Sequence, residues 1–431
     1  GNVFLNTIPP TCYIPCGTLD AYQASDWANQ VGELVEECEY EDLIPTNQIQ
    51  YTTWDDEIVR IDTTYHIDYI NNGVDYYSMF GANIISNTYE NGVGTITFDA
   101  PVTTIGSRVF NNSNLRTIIL PNSITTIQDD AFADCGSLES ITLPRNLKSI
   151  GYGAFRMCSQ LQSIEFPEGL ESIEGRAFEN CFYGMGYYAT EGSYIDPNGG
   201  YIGSGISISI PSSVTSIGEG VFAWCSGIKS FVVDSNNTTY DSRENCNAII
   251  ETATNTMIAG CRNSFIPATV TALGYGVFYG HRIKSINIPD GVVSIGESAF
   301  AYSDIETLHV PGSVKTIGRD AFDHCDDLTT LTLSEGLETI EYAGIHCCYA
   351  LKSIVFPSTL NSIGAYGVSS CTSMTSVEFL STTPPTIDNN SYGCFWRTPC
   401  EFTVPCGTKD AYYTALNADA PSGYHIEPIR I

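Results

Sequence analysis

Residues 118–140 read IILPNSITTIQDDAFADCGSLES, and residues 141–163 read ITLPRNLKSIGYGAFRMCSQLQS. The same line returns as IEFPEGLESIEGRAFENC (164–181), ISIPSSVTSIGEGVFAWCSGIKS (208–230), INIPDGVVSIGESAFAYSDIET (286–307) and LHVPGSVKTIGRDAFDHCDDLTT (308–330). Self-similarity of this kind decides the fold before any single residue does. One aromatic anchors each copy: Phe110, Phe132, Phe155, Phe178, Phe222, Phe278, Phe300 and Phe322, with degenerate copies at Ile345 and Val368. Uninterrupted neighbours lie 22 or 23 residues apart. An aliphatic residue stands eight before each anchor, from Val102 and Ile124 to Leu337 and Leu360, and another stands five before, from Ile105 and Ile127 to Ile340 and Ile363.

The pattern specifies a stack of coils. In I-x-I-P two apolar residues flank one outward residue, which is strand periodicity. Proline lacks an amide donor, so Pro121, Pro144, Pro167, Pro211, Pro267, Pro289, Pro311 and Pro357 should end that strand. The V-x-x-I-G stretch returns along the opposite side. Glycine follows its aliphatic residue in seven copies, but Gln128, Glu174 and Glu341 replace it elsewhere, so a positive φ is not required there. The x-x-A-F segment suits a short helical turn. One coil cannot bury its own apolar face, so neighbours must share a core and stability is cooperative along the array.

Composition narrows the function. The chain has 431 residues with 43% hydrophobic and 11% aromatic content, which excludes a disordered chain. Its 49 acidic residues against 18 basic ones give a net charge of −31, which repels phosphate backbones and anionic lipid. Nucleic acid is therefore not an expected partner, and no run of 18 apolar residues spans a bilayer. The opening GNVFLNT has neither Met nor a basic-then-apolar signal, a start that suits a trimmed exported chain.

These residues resemble the BspA-like leucine-rich repeats of bacterial cell-surface proteins over roughly residues 47 to 431. The likeness includes the lead-in YENGVGTITFDAPVTTIG, the repeats, and the element VDSNNTTYDSRENCNAIIETATNTMIAGC. It implies a leucine-rich repeat solenoid: β-rich, with short helical turns on the convex side, a right-handed superhelix and terminal capping units. It also implies export to the cell surface or beyond, a role in adhesion or recognition, and no catalytic residues.

Three segments break the period. Residues 182–205 (FYGMGYYATEGSYIDPNGGYIGSG) insert between coils, residues 234–265 replace a coil with a hairpin of CNAIIE and TMIAGC, and residues 380–431 form the end. The organisation expected is a cap-like strand–helix unit at 1–45, a lead-in module at 46–97, the solenoid at 98–379 with those two inserts, and a C-terminal cap at 380–431. PCGTKDAY at 405–412 echoes PCGTLDAY at 15–22, each joining a strand to a helix that Thr408 or Thr18 can cap. A cap-like unit at 1–45 is either the tail of a preceding array or an independent subdomain.

The sequence has 16 cysteines and six histidines. Cys135, Cys158, Cys181, Cys225, Cys325, Cys348 and Cys371 stand three residues after an anchor, where Ser113, His281 and Ser303 replace them in other copies. Coils about 4.8 Å apart do not forbid disulfides, but a row of equivalent thiols has no unique pairing, so reduced, buried thiols bonding backbone are expected. Cys246 and Cys261 face across the hairpin at a spacing that permits a bridge. Cys12 with Cys16, and Cys400 with Cys406, form no CxxC and have no histidine beside them, so no metal or other cofactor is expected. His66, His281, His309, His324, His346 and His425 are scattered, and the acidic pairs Asp129–Asp130 and Asp326–Asp327 belong to no DxDxDG frame. GxSxG, Walker and HExxH motifs are missing from the sequence, which reads as no enzyme.

Two surfaces remain as candidates. The outward strand column runs Ile119, Thr142, Glu165, Ser209, Asn287, His309, Thr332, Val355, Glu378, mixed in character and suited to a host or matrix protein. The 182–205 insert offers Tyr183, Tyr187, Tyr188, Tyr194 and Tyr201, rigid amphipathic rings for a protein or a glycan. A spacer that binds neither is the third expectation.

Overall fold

In the computed structural model, residues 44–62, 79–182, 205–388 and 393–418 are described, with strand backbones at 11–15, 33–37, 67–68, 73–74 and 429–430. The repeats stack as coils joined along three sides.

The first side carries the I-x-I-P strands. Thr307–Val310 pairs in parallel with Thr330–Leu333, and Ser353–Phe356 with Ser376–Phe379, each alternating exposed and buried residues. Val310 and Phe356 end their strands just before Pro311 and Pro357, where the missing amide stops the ladder. The second side is a ladder of two-residue bridges such as Thr104–Ile105, Thr126–Ile127 and Ser149–Ile150, which bury isoleucine in register. The glycine after that isoleucine answers to space. A Cβ on Gly151 would lie 2.6 Å from the Asp129 nitrogen, and one on Gly364 2.7 Å from the Tyr342 nitrogen.

The third side differs from the short helical turn the sequence suggests. Linked turns replace it, with left-handed residues two before and two after each anchor: Asp130 (φ 52°) and Asp134 (φ 61°) around Phe132, Ser298 (φ 53°) and Tyr302 (φ 55°) around Phe300. Alternate amides then serve different partners. Ala133 N donates to Asp130 O within the turn (2.9 Å), while Asp130, Phe132 and Asp134 donate to Tyr152, Ala154 and Arg156 O of the next coil (2.8, 2.7 and 2.7 Å). A helix would spend all these amides internally and leave the coils unlinked here. The left-handed residues cost on the order of 1 kcal/mol each, and the inter-coil bonds offset that.

Between the sides, the anchor rings stack. Phe110, Phe132, Phe155 and Phe178 lie 5.2, 5.1 and 5.1 Å apart, nearly parallel and fully buried. Beside them the thiols form their own row: Cys135, Cys158, Cys181 and Cys225 donate to the carbonyls of Phe110, Phe132, Phe155 and Phe178 (2.9, 3.2, 2.9 and 2.9 Å). Cys325, Cys348 and Cys371 repeat this on Phe300, Phe322 and Ile345. All seven are free and buried, and burial pushes the Cys225 and Cys325 thiols well up, the latter to about 12. Alkylation in native buffer followed by peptide mapping should therefore leave these seven unmodified and label the exposed Cys406.

The interior is not one continuous core. Ile249–Glu251 and Thr256–Ala259 form an antiparallel hairpin whose second strand pairs in parallel with Ala272–Leu273. Its residues face two ways: Ile249 and Ala259 pack with the coils before it, Ile250 and Met257 with the coils after it. Cys261 and Cys246 fall into these separate clusters, and both are free thiols, so the bridge that their spacing permits is not made. The buried Asn237 ties the segment down, donating to Pro211 and Val214 O (2.8 and 2.9 Å) and accepting from Thr239 and Tyr240 N (2.9 Å each). One bond of the turn side still spans the hairpin, Trp224 N to Tyr279 O (2.7 Å), while Gly260 N of the hairpin takes Val277 O (2.9 Å).

At the N-terminal end, Gln48–Thr53 runs antiparallel to both Val93–Phe98 and Leu115–Ile119, covering the first strand edge. At the other end an eleventh turn follows the ten the pattern yields: Phe395 is the buried anchor, flanked by Gly393 (φ 95°) and Arg397 (φ 55°). Helix Lys409–Asn417 then buries Tyr412 and Leu416, and Tyr412 Oη donates to Ser381 O (2.8 Å). Thr408 precedes this helix without capping it, because its hydroxyl donates back to Pro405 O (2.7 Å).

Candidate functional site: the turn side of the solenoid

The residue two after each anchor is left-handed and turns its side chain toward the surface, except that Gly280 has none and Cys347 and Ser370 are buried. Along the stack this makes one row: Asn112, Asp134, Met157, Asn180, Trp224, Gly280, Tyr302, His324, Cys347 and Ser370. Its first half lines a groove of about 910 Å³ with Asp130, Tyr152, Arg156, Arg176 and Glu179. Arg156 lies 3.7 Å from Asp130 and 3.5 Å from Asp134, and Arg176 donates to Tyr275 Oη (2.9 Å). Burial raises the Glu179 carboxyl, against the pull of Arg176 and Arg156.

The second half is aromatic. Trp224 lies 5.7 Å from Tyr279 and 5.2 Å from Tyr302, and Tyr302 stacks on His324 at 4.7 Å. His324 meets Tyr349 (5.7 Å) and His346 (6.2 Å), and Tyr366 joins His346 to Trp396 at 6.4 Å on each side. These rings are half-buried or exposed, and Tyr302 and Tyr349 each keep 38% of their surface.

Within that half, Asp323 Oδ1 lies 2.7 Å from His346 Nδ1, and His346 Nε2 lies 3.4 Å from Cys347 Sγ. The order resembles a thiol nucleophile, its base and an orienting acid. Cys347 keeps only 6% exposure, and its thiol is pushed up by burial, with the Asp323 charge adding to the effect. Activated cysteines need the reverse, an electropositive setting that lowers the pKa, so nucleophilic use is disfavoured.

The residues expected from the sequence fall elsewhere. Glu165, Ser209, Asn287, His309 and Thr332 all sit exposed on the strand side. The parallel register brings His309 beside Thr332 and Ser209 beside Val232, but the strands form separate short sheets, and Glu165 and Asn287 lie in coils without a strand. Tyr183, Tyr187, Tyr188, Tyr194 and Tyr201 lie outside the described residues. The acidic pairs are ordinary turns: Asp129 Oδ1 accepts from Tyr152 N (2.9 Å), and Asp326 lies 3.5 Å from His324. The aromatic row was hidden because its members occupy different offsets from their anchors, and only the alternating turn conformation brings them together.

A family model of the BspA type leucine rich repeat region matches in six copies, over residues 83–187, 202–256 and 256–375. The chain belongs to the BspA-type leucine-rich repeat family. That family is typically a non-enzymatic repeat scaffold. No curated protein matches this BspA-type chain. Among solved structures it is similar to a leucine-rich repeat protein from Eubacterium ventriosum, at 21% identity over 66% of this chain and 80% of that one, with a TM-score of 0.51. It is also similar to the pneumococcal vaccine antigen PcpA, at 18% identity over 77% of this chain and 85% of that one, with a TM-score of 0.52. At such identities the likeness shows the fold alone. Among the described residues no helix is long and apolar enough to cross a membrane.

Proposed function

We propose that this BspA-type chain is an exported recognition protein, displayed at the cell surface or released, which adheres to a protein of the host or its matrix. The observation that carries this reading is the row of half-exposed rings from Trp224 to Trp396, continuous with the groove at Asp130–Arg176. Rigid aromatic side chains give contact area at little entropic cost, and recognition hot spots are rich in them. The net charge of −31 favours a basic partner surface.

The test is capture of basic matrix proteins by the purified chain at low and high salt. Trp224→Ala with Tyr302→Ala should weaken binding at least ~30-fold, the scale of a hot-spot loss. Raising the salt should slow association. His309→Ala with Thr332→Ala on the strand side should leave affinity within about twofold, as peripheral contacts do. The reverse pattern would transfer the site to the strand column. Binding to a glycan array that is lost with Tyr187→Ala and Tyr194→Ala would replace the protein ligand with a sugar.

A further inference from the structure

We propose that Asp323, His346 and Cys347 form a binding site for a borderline-soft divalent metal ion of the zinc class, on the turn side of the C-terminal half. Two consecutive residues supply the direct ligands. His346 Nε2 and Cys347 Sγ stand 3.4 Å apart. An ion with Zn–S of about 2.3 Å and Zn–N of about 2.0 Å at a tetrahedral angle holds its two ligands roughly 3.5 Å apart. The pair is thus close to the spacing that zinc needs. Cys347 holds the left-handed backbone (φ 52°) that the turn side has at this position in every coil.

Asp323 plays a different part. Its Oδ1 lies 2.7 Å from Nδ1, a hydrogen bond, whereas an oxygen and a nitrogen sharing one ion would stand about 3.3 Å apart. Accepting the Nδ1 proton fixes the tautomer that leaves the Nε2 lone pair toward the thiol, the outer-shell arrangement of metal-bound histidines. The carboxylate also offsets the cation's charge. His346 and Asp323 side chains keep 27% and 18% exposure, whereas Cys347 keeps 6%, so the ion must displace the proton that burial holds on the thiol, and its binding weakens as pH falls. Sulfur and imidazole nitrogen select this class over calcium or magnesium, which take oxygen.

The experiment titrates the reduced, full-length chain with Co²⁺ as a spectroscopic probe and then displaces it with Zn²⁺. One equivalent should give a thiolate-to-cobalt charge-transfer band. Cys347→Ser should abolish the band and weaken Zn²⁺ at least ~100-fold, since a direct ligand is lost. Asp323→Asn should keep the band and weaken Zn²⁺ about 10- to 100-fold, as an outer-shell change does. His346→Gln is the second ligand variant, and each apo variant is checked for unchanged thermal unfolding. A wild-type chain without the band overturns the proposal. An undiminished band in Cys347→Ser or His346→Gln does the same, because it assigns the ion to another thiol such as the exposed Cys406.

Discussion

Phe155→Ala will lower the unfolding free energy by about 3–5 kcal/mol. The ring is fully buried with parallel neighbours 5.1 Å away on each side, Phe132 and Phe178. The size of the loss depends on how far the surroundings can collapse into the space. Here they are held apart by backbone ladders on the turn and bridge sides. Phe155 N itself donates to Ala177 O (2.8 Å), and Ile150 pairs between Ile127 and Ile173. The coils cannot move together without breaking those bonds, so the cavity stays open. Phe155→Leu refills most of it and should recover more than half of the loss. Urea unfolding of the three proteins checks this, and a loss under about 1 kcal/mol for the alanine variant would show that the rings carry little of the fold's stability.

Acidification should destabilise the array through His281. This residue occupies the position that cysteine fills in other coils, and its Nε2 meets Phe222 O at 3.2 Å, as a thiol would. Among the described residues Nδ1 has no hydrogen-bond partner, and burial drives the pKa down to about 4. The unfolded imidazole titrates near 6.5, so between those values the unfolded chain binds the extra proton. Stability from this group is therefore whole above pH 6.5 and drains away as pH falls toward 4, amounting to about 3 kcal/mol. Acids whose carboxyls are raised by burial, Glu179, Asp304 and Asp320, act with the opposite sign. The measurement is accordingly a difference: His281→Cys should unfold with about 3 kcal/mol less acid sensitivity than the wild type between pH 6.5 and 4. Parallel pH profiles would show that the histidine is not the sensor.

Much of this architecture is legible in the chain because one short line recurs. The anchors, the two aliphatic positions and the thiol row each repeat a single packing requirement, and Phe110 through Phe322 are buried as that requirement demands. The turn side is less legible. Asp130, Trp224, Tyr302 and His324 share a left-handed backbone without sharing a residue type, since the demand comes from the neighbouring coil's carbonyls. The eleventh turn at Phe395 escapes the period because the chain between Ile387 and Phe395 is longer than elsewhere. The Asp323–His346–Cys347 cluster spans two coils, so 23 residues of sequence separate groups that lie in hydrogen-bond contact.

The hairpin at Ile249–Ala259 works as a bulkhead. Fraying that starts at either free end advances by stripping one coil's apolar layer from the next, and each layer lost exposes the one behind it. At the hairpin that sequence halts, because Ile250 and Met257 seal one compartment while Ile249 and Ala259 seal the other. A protease cut in one half should therefore open that half first. The aromatic seam riding over the bulkhead keeps one intact shore, Trp224 on one side or Tyr302 on the other.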